Sequence, residues 1–345
     1  MTKTTIRPGT SRARSSKRPA DAFVVLSANI EHDGGWLDQH GTPDLARSLE
    51  IAHLLAELDP DVLLRQEMTH SQLGRGDAHR HQVADILDSE VFVSPNQWGS
   101  NPNGMLVRHG TFGTVQQRGE ADRPYRAGPW GTPPTIVYAT FQEAPEHTLI
   151  LGSVHASSNS PSVRRLEVEH LSREIDKVPR GAGLLVGGDW NESPLQEGEE
   201  VPAIDWQAPE LTDDVHRRHR AERGLDGTWR SITYMDQYLL DTGLHDPARH
   251  VARAGKPDAL RATAGRARPD QGGPQRIDRF ALDRYLITAV EDVEVINMSG
   301  ASDHDAVCLV LSRRGMIESL RRSVAPAPRW PACGETHRTV TGTAR

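Results

Sequence analysis

Cysteine is scarce in this 345-residue chain: there are two, Cys308 in the apolar run "AVCLVLS" and Cys333 in a proline-containing stretch. That pair makes a poor disulfide framework, so a stapled secreted scaffold is excluded and a reducing, cytoplasmic setting is expected. Long apolar runs are missing as well. No stretch approaches the ~18 residues of a membrane span, and the polar, basic start has no apolar segment of the kind a secretory signal carries. No membrane partner is expected, and no segment points to a protein partner. Aromatics are only 5% of the residues and do not interleave with a basic stretch, which argues against an extended nucleic-acid-binding face. Several catalytic motifs are absent too. "GDWNESP" lacks the Gly-Lys-Ser/Thr of a phosphate-gripping loop, and no Ser or Cys nucleophile stands in a recognisable elbow. "HRHQ" (His79 to Gln82) and "DVHRRHR" (His216, His219) have ligand-like spacing but no second His or Cys pair to complete a zinc site; solvated helix faces are the expectation there.

Charge is present but unevenly spread. Residues 1–20 hold six basic side chains and no acid, and residues 314–345 hold six arginines against two glutamates, whereas the whole chain is −7. The middle is therefore strongly acidic, which suits a site that gathers carboxylates around divalent cations. Residues 1–21 and 314–345 are expected to be disordered basic tails flanking one domain over 22–313.

Within that span, eight segments read as strands: "AFVVLSAN", "DVLLRQE", "NGMLVR", "TIVYATF", "TLILGSVH", "GLLVGGD", "RIDRFAL" and "AVCLVLS". Helical spacing occurs in "TPDLARSLEIAHLLAEL", in "DAHRHQVADILDSE" and in "SPSVRRLEVEHLSREID", where Val163, Leu166, Leu171 and Ile175 can share a face. Several strands follow one another with no helix between, which predicts two packed sheets with helices outside. Residues 196–275 are longer, more polar and unassigned, apart from a loop at "RARPDQGGPQ".

Six of these strands deliver an acid, amide or imidazole at a terminus. Asn29 ends the first and Glu67 the second; His155 closes "LILGSVH"; Asp189 and Asn191 close "LLVGGDWN"; Asp278 lies in "QRIDRF"; Asp303 and His304 open the last. One such residue is an ordinary turn former. Six, on rigid strand ends, read as a converging site.

The ordered set "SANI", "RQE", "VHASS", "GGDWN", "RIDRF" and "SDHDAV" resembles the endonuclease/exonuclease/phosphatase family of metal-dependent phosphoesterases, over residues 23 to 311. The resemblance implies an α/β (α+β) fold, a four-layered α/β/β/α sandwich of two mixed sheets face to face. Glu67 is the first choice as direct ligand of Mg²⁺, with Asn29 beside it, because that ion takes hard oxygen ligands and keeps waters; Mn²⁺ is expected to substitute. Family similarity adds Asp303 to the metal set. It also makes Asp189 and Asn191 the pair that activates water and contacts phosphate; alternation along an extended segment would point both to one side. By the same likeness His304 touches the scissile phosphate with Asp278 on its other ring nitrogen, and His155 contacts phosphate. In secretory deoxyribonucleases the last histidine has an upstream acid; here "QWGSNPNGMLVR" offers none. Arg126, in "RPYRAGPW", precedes its strand as a phosphate-binding arginine does in some relatives. Ser302 shapes the turn.

The simpler alternatives are an ordinary Asp278 salt bridge with Arg276 or Arg279 and a satisfied, half-buried His304. The expected function is a metal-dependent nuclease. A phosphatase of a small phosphorylated metabolite or nucleotide, with 196–275 walling its pocket, is the second reading, and a catalytically dead binding protein is the third.

Overall fold

The computed structural model describes residues 18–35, 45–73, 76–94, 101–118, 130–196, 199 and 201–322. In chain order the first strands are β1 (Ala22–Asn29), β2 (Val62–Gln66), β3 (Ser89–Val93), β4 (Gly104–Arg108), β5 (Thr114–Gln117), β6 (Thr135–Phe141) and β7 (Ala144–His155). After them come β8 (Gly183–Asp189), β9 (Ala221–Arg223), β10 (Trp229–Ser231), β11 (Leu244–His245), β12 (Asp278–Asp283), β13 (Val290–Ile296) and β14 (Ala306–Ser312). Sheet one has the order β13-β14-β1-β2-β4-β3 and sheet two the order β11-β12-β8-β7-β6-β5. Each is antiparallel except for one central parallel pair, β1 with β2 and β7 with β8.

Period-two alternation explains the layering. In β1, Phe23 and Val25 join the core between the sheets, while Val24 and Leu26 join the core beneath the helices outside sheet one. Helices α1 (Leu45–Ala56) and α2 (Asp77–Ile86) cover that outer face through Ile51, Leu55, Val83 and Ala84. Sheet two is covered by α3 (Pro161–His170), α4 (Ser172–Ile175) and α6 (Tyr234–Asp241), through Val168, Ile175, Met235 and Leu239. Each fully buried Leu, Val or Phe contributes roughly 1.5–3 kcal/mol, so three continuous apolar layers hold the sandwich together. The result is the four-layered α/β/β/α arrangement expected. The unassigned region contributes β9, β10, α5 (Asp214–Arg220) and α7 (Pro247–Arg253) besides α6 and β11. Among the described residues no helix is long and apolar enough to cross a membrane.

Several expectations need correction. The ordered body does not stop at Arg313: helix α8 (Arg313–Leu320) buries Met316, Ile317 and Leu320 in the inter-sheet core. Its start is capped by Ser312 Oγ, which accepts from Gly315 N at 2.9 Å. A run of arginines hid the i, i+1, i+4 apolar stripe. At the other end Arg18 pairs with Asp61 and with Ala22 O, so ordered backbone begins before residue 22. Residues 1–17 and 323–345 lie outside the described residues. On α3, Leu166 is 52% exposed, and Arg164, Glu167 and Val168 face inward instead; Arg164 Nε donates to Glu192 at 3.0 Å inside the protein. His79 is buried rather than solvated, with its Nε2 3.0 Å from Ser48 Oγ.

Candidate active site

The inner rows of the central strands all end in polar residues on the same side of the sandwich. Phe23 and Val25 lead to Ser27 and Asn29, Leu149 and Leu151 to Ser153 and His155, and Leu185 through Gly187 to Asp189. A hydrogen-bonded shelf separates apolar core from mouth: Gln66 Nε2 donates to Ser153 Oγ at 3.0 Å, and Ser153 Oγ donates to Arg65 O at 3.1 Å. The glycine pair below Asp189 is required. A Cβ on Gly187 would lie 2.4 Å from the Phe280 ring, and one on Gly188, whose φ is +148°, would lie 1.9 Å from Val154 O.

Sheet two supplies a row of three. His155 is paired with Asp189 across β7 and β8, and Asp189 with Asp278 across β8 and β12. Residues in register on adjacent strands point to one face, so the three line up. Asp189 and Asp278 are each only 2% exposed. His304, from the turn before β14, sets its Nδ1 2.8 Å from Asp278 Oδ2. Ligand atoms of Asp189, Asp278 and His304 all lie within 4.8 Å of one another. Burial works against charge on His304. The carboxylates of Asp278, Asp189 and Asp303 outweigh it and hold the imidazole protonated up to about 10. Burial also pushes the Asp278 carboxyl up, with the His304 charge pulling the other way. Thr263 steadies the arrangement: its hydroxyl accepts from Asp278 N at 3.0 Å and its carbonyl from Asp305 N at 2.7 Å.

Sheet one contributes from turns. Asn29 Nδ2 donates to Asp189 Oδ2 at 3.1 Å, bridging the sheets, while its buried Oδ1 has no partner among the described residues. Glu67 sits just past β2 with φ +56° and accepts from His32 N at 3.2 Å. Glu31 joins this group. Its carboxyl is pushed up by burial, then by the charges of Asp303 and Glu67 with His32 opposing, so three carboxylates crowd one another. Asp303 is exposed, beside Ser302, whose hydroxyl donates to Asn29 O at 2.8 Å and stitches the β14 turn to the end of β1. Beneath lies a fully buried brace. Arg65 donates to Asp33 at 2.7 Å and Ser71 Oγ to the other Asp33 oxygen at 2.6 Å, holding a turn in which His32 and Asp33 both have positive φ.

The cluster thus brings together Asn29, Glu67, His155, Asp189, Asn191, Asp278, Asp303 and His304. Asn191 arrives differently from the expectation. It is not the next inward residue of an extended strand; its φ is +51°, and its backbone N donates to Asp189 Oδ1 at 2.7 Å. Its amide is then held on both sides, donating to Ala156 O at 2.9 Å and accepting from Arg220 Nη2. His155 has an acid neighbour after all, Asp189 on the next strand with Oδ2 3.6 Å from Nε2. The arginines flanking Asp278 bond elsewhere. Arg276 donates to Glu199 and Asp246 at 2.6 and 2.7 Å, and Arg279 faces Asp236 at 3.5 Å, leaving Asp278 to the histidine. Arg126 lies outside the described residues. Glu31 and Arg220 escaped the sequence reading. Glu31 stands two residues past Asn29, a spacing that could have signalled it; Arg220 sits in a polar helix with no signal of its own. Beside the cluster opens a pit of about 700 Å³, walled by α5 and the 264–271 loop and bordered by Ser302, Asp303 and His304.

Solved structures with the same fold include the 3′ phosphatase NExo from Neisseria bound to product DNA hairpin. It is 18% identical, covers 84% of this chain and 99% of its own, and gives a TM-score of 0.52. The 3′-5′ exonuclease NExo from Neisseria meningitidis is 20% identical over 84% of this chain and 100% of its own, also at 0.52. TDP2 from C. elegans is 17% identical over 84% and 75%, at 0.48. No curated protein sequence matches. The family model described as "Endonuclease/Exonuclease/phosphatase family" spans residues 26–304, most of the chain and every residue of the cluster described above, and the chain belongs to that family.

Proposed function

We propose that the chain is a Mg²⁺-dependent nuclease that hydrolyses phosphodiester bonds, working in the cytoplasmic setting that its cysteine usage suggests. The observation that carries this reading is the row His155–Asp189–Asp278, capped by His304 and facing the unpartnered oxygen of Asn29. Asn29 Oδ1, Glu67 and Asp303, with Glu31 beside them, would hold the ion: they are hard oxygens, one of them buried with nothing to bind. Bound there, Mg²⁺ (or Mn²⁺) would supply charge neutralisation for the phosphate and the leaving oxygen.

The chain's own groups do the rest. Asp189 Oδ2, already fixed by the Asn29 amide, accepts the proton of the attacking water. Asn191, locked by Ala156 and Arg220, keeps the Asp189 carboxylate aimed through its backbone N–H. His304 donates Nδ1–H to Asp278, which leaves its other N–H for a phosphate oxygen; the pair keeps that donor charged. His155, within reach of Asp189, contacts the phosphate from the far rung.

The second reading, a phosphatase of a small phosphorylated molecule or nucleotide, is favoured by one observation, the half-enclosed pit, whose volume suits a nucleotide-sized group. Incubation with Mg²⁺ or Mn²⁺ and plasmid, single-stranded DNA, RNA and a panel of nucleotides and sugar phosphates separates the two. Nicking that disappears with chelator and with Asp189→Ala supports the nuclease; inorganic phosphate released from one small compound, polymers intact, supports the phosphatase. Full activity of His304→Ala on every substrate would overturn both.

A further inference from the structure

Arg220, the last residue of α5, is supplied by the long polar insertion and not by either sheet. It is 7% exposed, yet of its guanidinium only Nη2 finds an acceptor, the Asn191 side-chain oxygen; Nε and Nη1 have no partner among the described residues. Arginine carries five N–H donors and no acceptor, so a buried guanidinium with orphaned donors is costly. The charges nearest it include Asp189 and Asp278, and burial brings its pKa down to about 10. Neither carboxylate takes a free Arg220 N–H: Asp189 accepts from Asn29 and Asn191, Asp278 Oδ2 pairs with His304, and the buried Asp278 Oδ1 has no partner among the described residues. Arg220 is among the residues that line the same pit as His304 and Asp303.

We propose that Arg220 is a phosphate-binding residue of this centre, its unpartnered Nη1, together with the Nη2–H that Asn191 does not use, gripping two oxygens of the reacting phosphoryl group. The Nη1–Nη2 edge of the guanidinium is a planar fork matched to two oxygens of a tetrahedral oxyanion, and Nη2 has a second N–H besides the one given to Asn191. The inference rests on the phosphoester-hydrolase reading and adds to it a cation that comes from the insertion. It also ties phosphate binding to Asn191, because the third donor of the same guanidinium holds that amide.

The test titrates inorganic phosphate into metal-free protein with EDTA present, by calorimetry, for the natural chain, Arg220→Gln and Arg220→Lys, and measures kcat and KM with Mg²⁺ in parallel. Thermal unfolding checks that each variant is folded. Arg220→Gln is expected to weaken phosphate at least tenfold, raise KM and lower kcat, and Arg220→Lys to recover only part, since an ammonium has no fork. Millimolar guanidinium should restore turnover to Arg220→Ala but not to Asp189→Ala; this arm applies even where the glutamine variant is unstable. Unchanged phosphate affinity in a folded Arg220→Gln overturns the proposal, even if turnover falls, because a residue that only positions Asn191 would behave so. If the natural chain binds phosphate through Arg220 but hydrolyses no phosphoester, the hydrolase reading fails and only the phosphate contact of Arg220 stands.

Discussion

Sheet two brings His155, Asp189 and Asp278 to the mouth as three rungs of one ladder, whereas sheet one, beyond Asn29, contributes Glu31, Glu67 and Asp303 from turns past its strand ends. The first set is fixed in one strand ladder, with Asp189 in the middle paired to His155 on one side and to Asp278 on the other. The second is held by left-handed residues, His32, Asp33 and Glu67, and by the buried Arg65–Asp33 brace below them. Proton transfer tolerates little misplacement, while a hydrated cation keeps adjustable waters. The rigid half carries the more demanding geometry.

The comparison breaks most sharply at Asp189. Asp189→Ala should lower kcat on the order of 10³-fold or more, and Glu67→Ala on top of it should add little, because such groups act as a unit; steady-state kinetics of the single and double variants check this. Next comes the brace. Asp33→Ala leaves a buried Arg65 without its partner and should cost about 3–5 kcal/mol in urea unfolding, while also weakening Mg²⁺ activation through Glu67; unchanged metal dependence would show that the turns do not need the brace. Asp278→Asn separates charge from position. His304 then loses the carboxylate that keeps it protonated up to about 10, so the alkaline limb of the pH–rate profile should move down by roughly one unit or more.

The smallest effect is expected at Glu167, which anchors the chain just past β7 by accepting from Ser157 N at 2.8 Å. Burial raises its carboxyl from 4.5 to about 7. Between those values the native state keeps a proton that the unfolded chain releases, so this group's stabilisation is full below pH 4.5 and is lost as pH rises through about 7. Glu167→Gln should flatten that decline in urea midpoints measured from pH 4 to 8.

The ladder half was legible in the sequence because each member stands at an end of an apolar strand: Asp189 after "LLVGG", His155 after "LILGSV", Asp278 before "RFAL". Polar endings on apolar runs announce themselves. The turn half was legible only in part. Glu67 ends such a run, but Glu31 sits in "NIEHD", where acids are expected of any loop. Asn191 was named for the wrong conformation, since strand alternation carried past Asp189 ignores the turn that its carboxylate makes with the amide two residues on. His79 was read as solvated because its buried partner, Ser48, is distant in sequence. β13 went unseen, its "VEDVEVI" carrying the acids that suit an edge strand.

The position of β1 has a consequence for assembly. Its two neighbours are β2, which follows soon after, and β14, whose register sets Ala22 opposite Ser312. The opening strand therefore waits, half-zipped, until nearly the whole domain has been made. Contacts so far apart in sequence slow the search for the native state, and His304 arrives with the strand that ends the wait. Nascent chains shorter than this should have neither a closed sandwich nor any chemistry to misdirect.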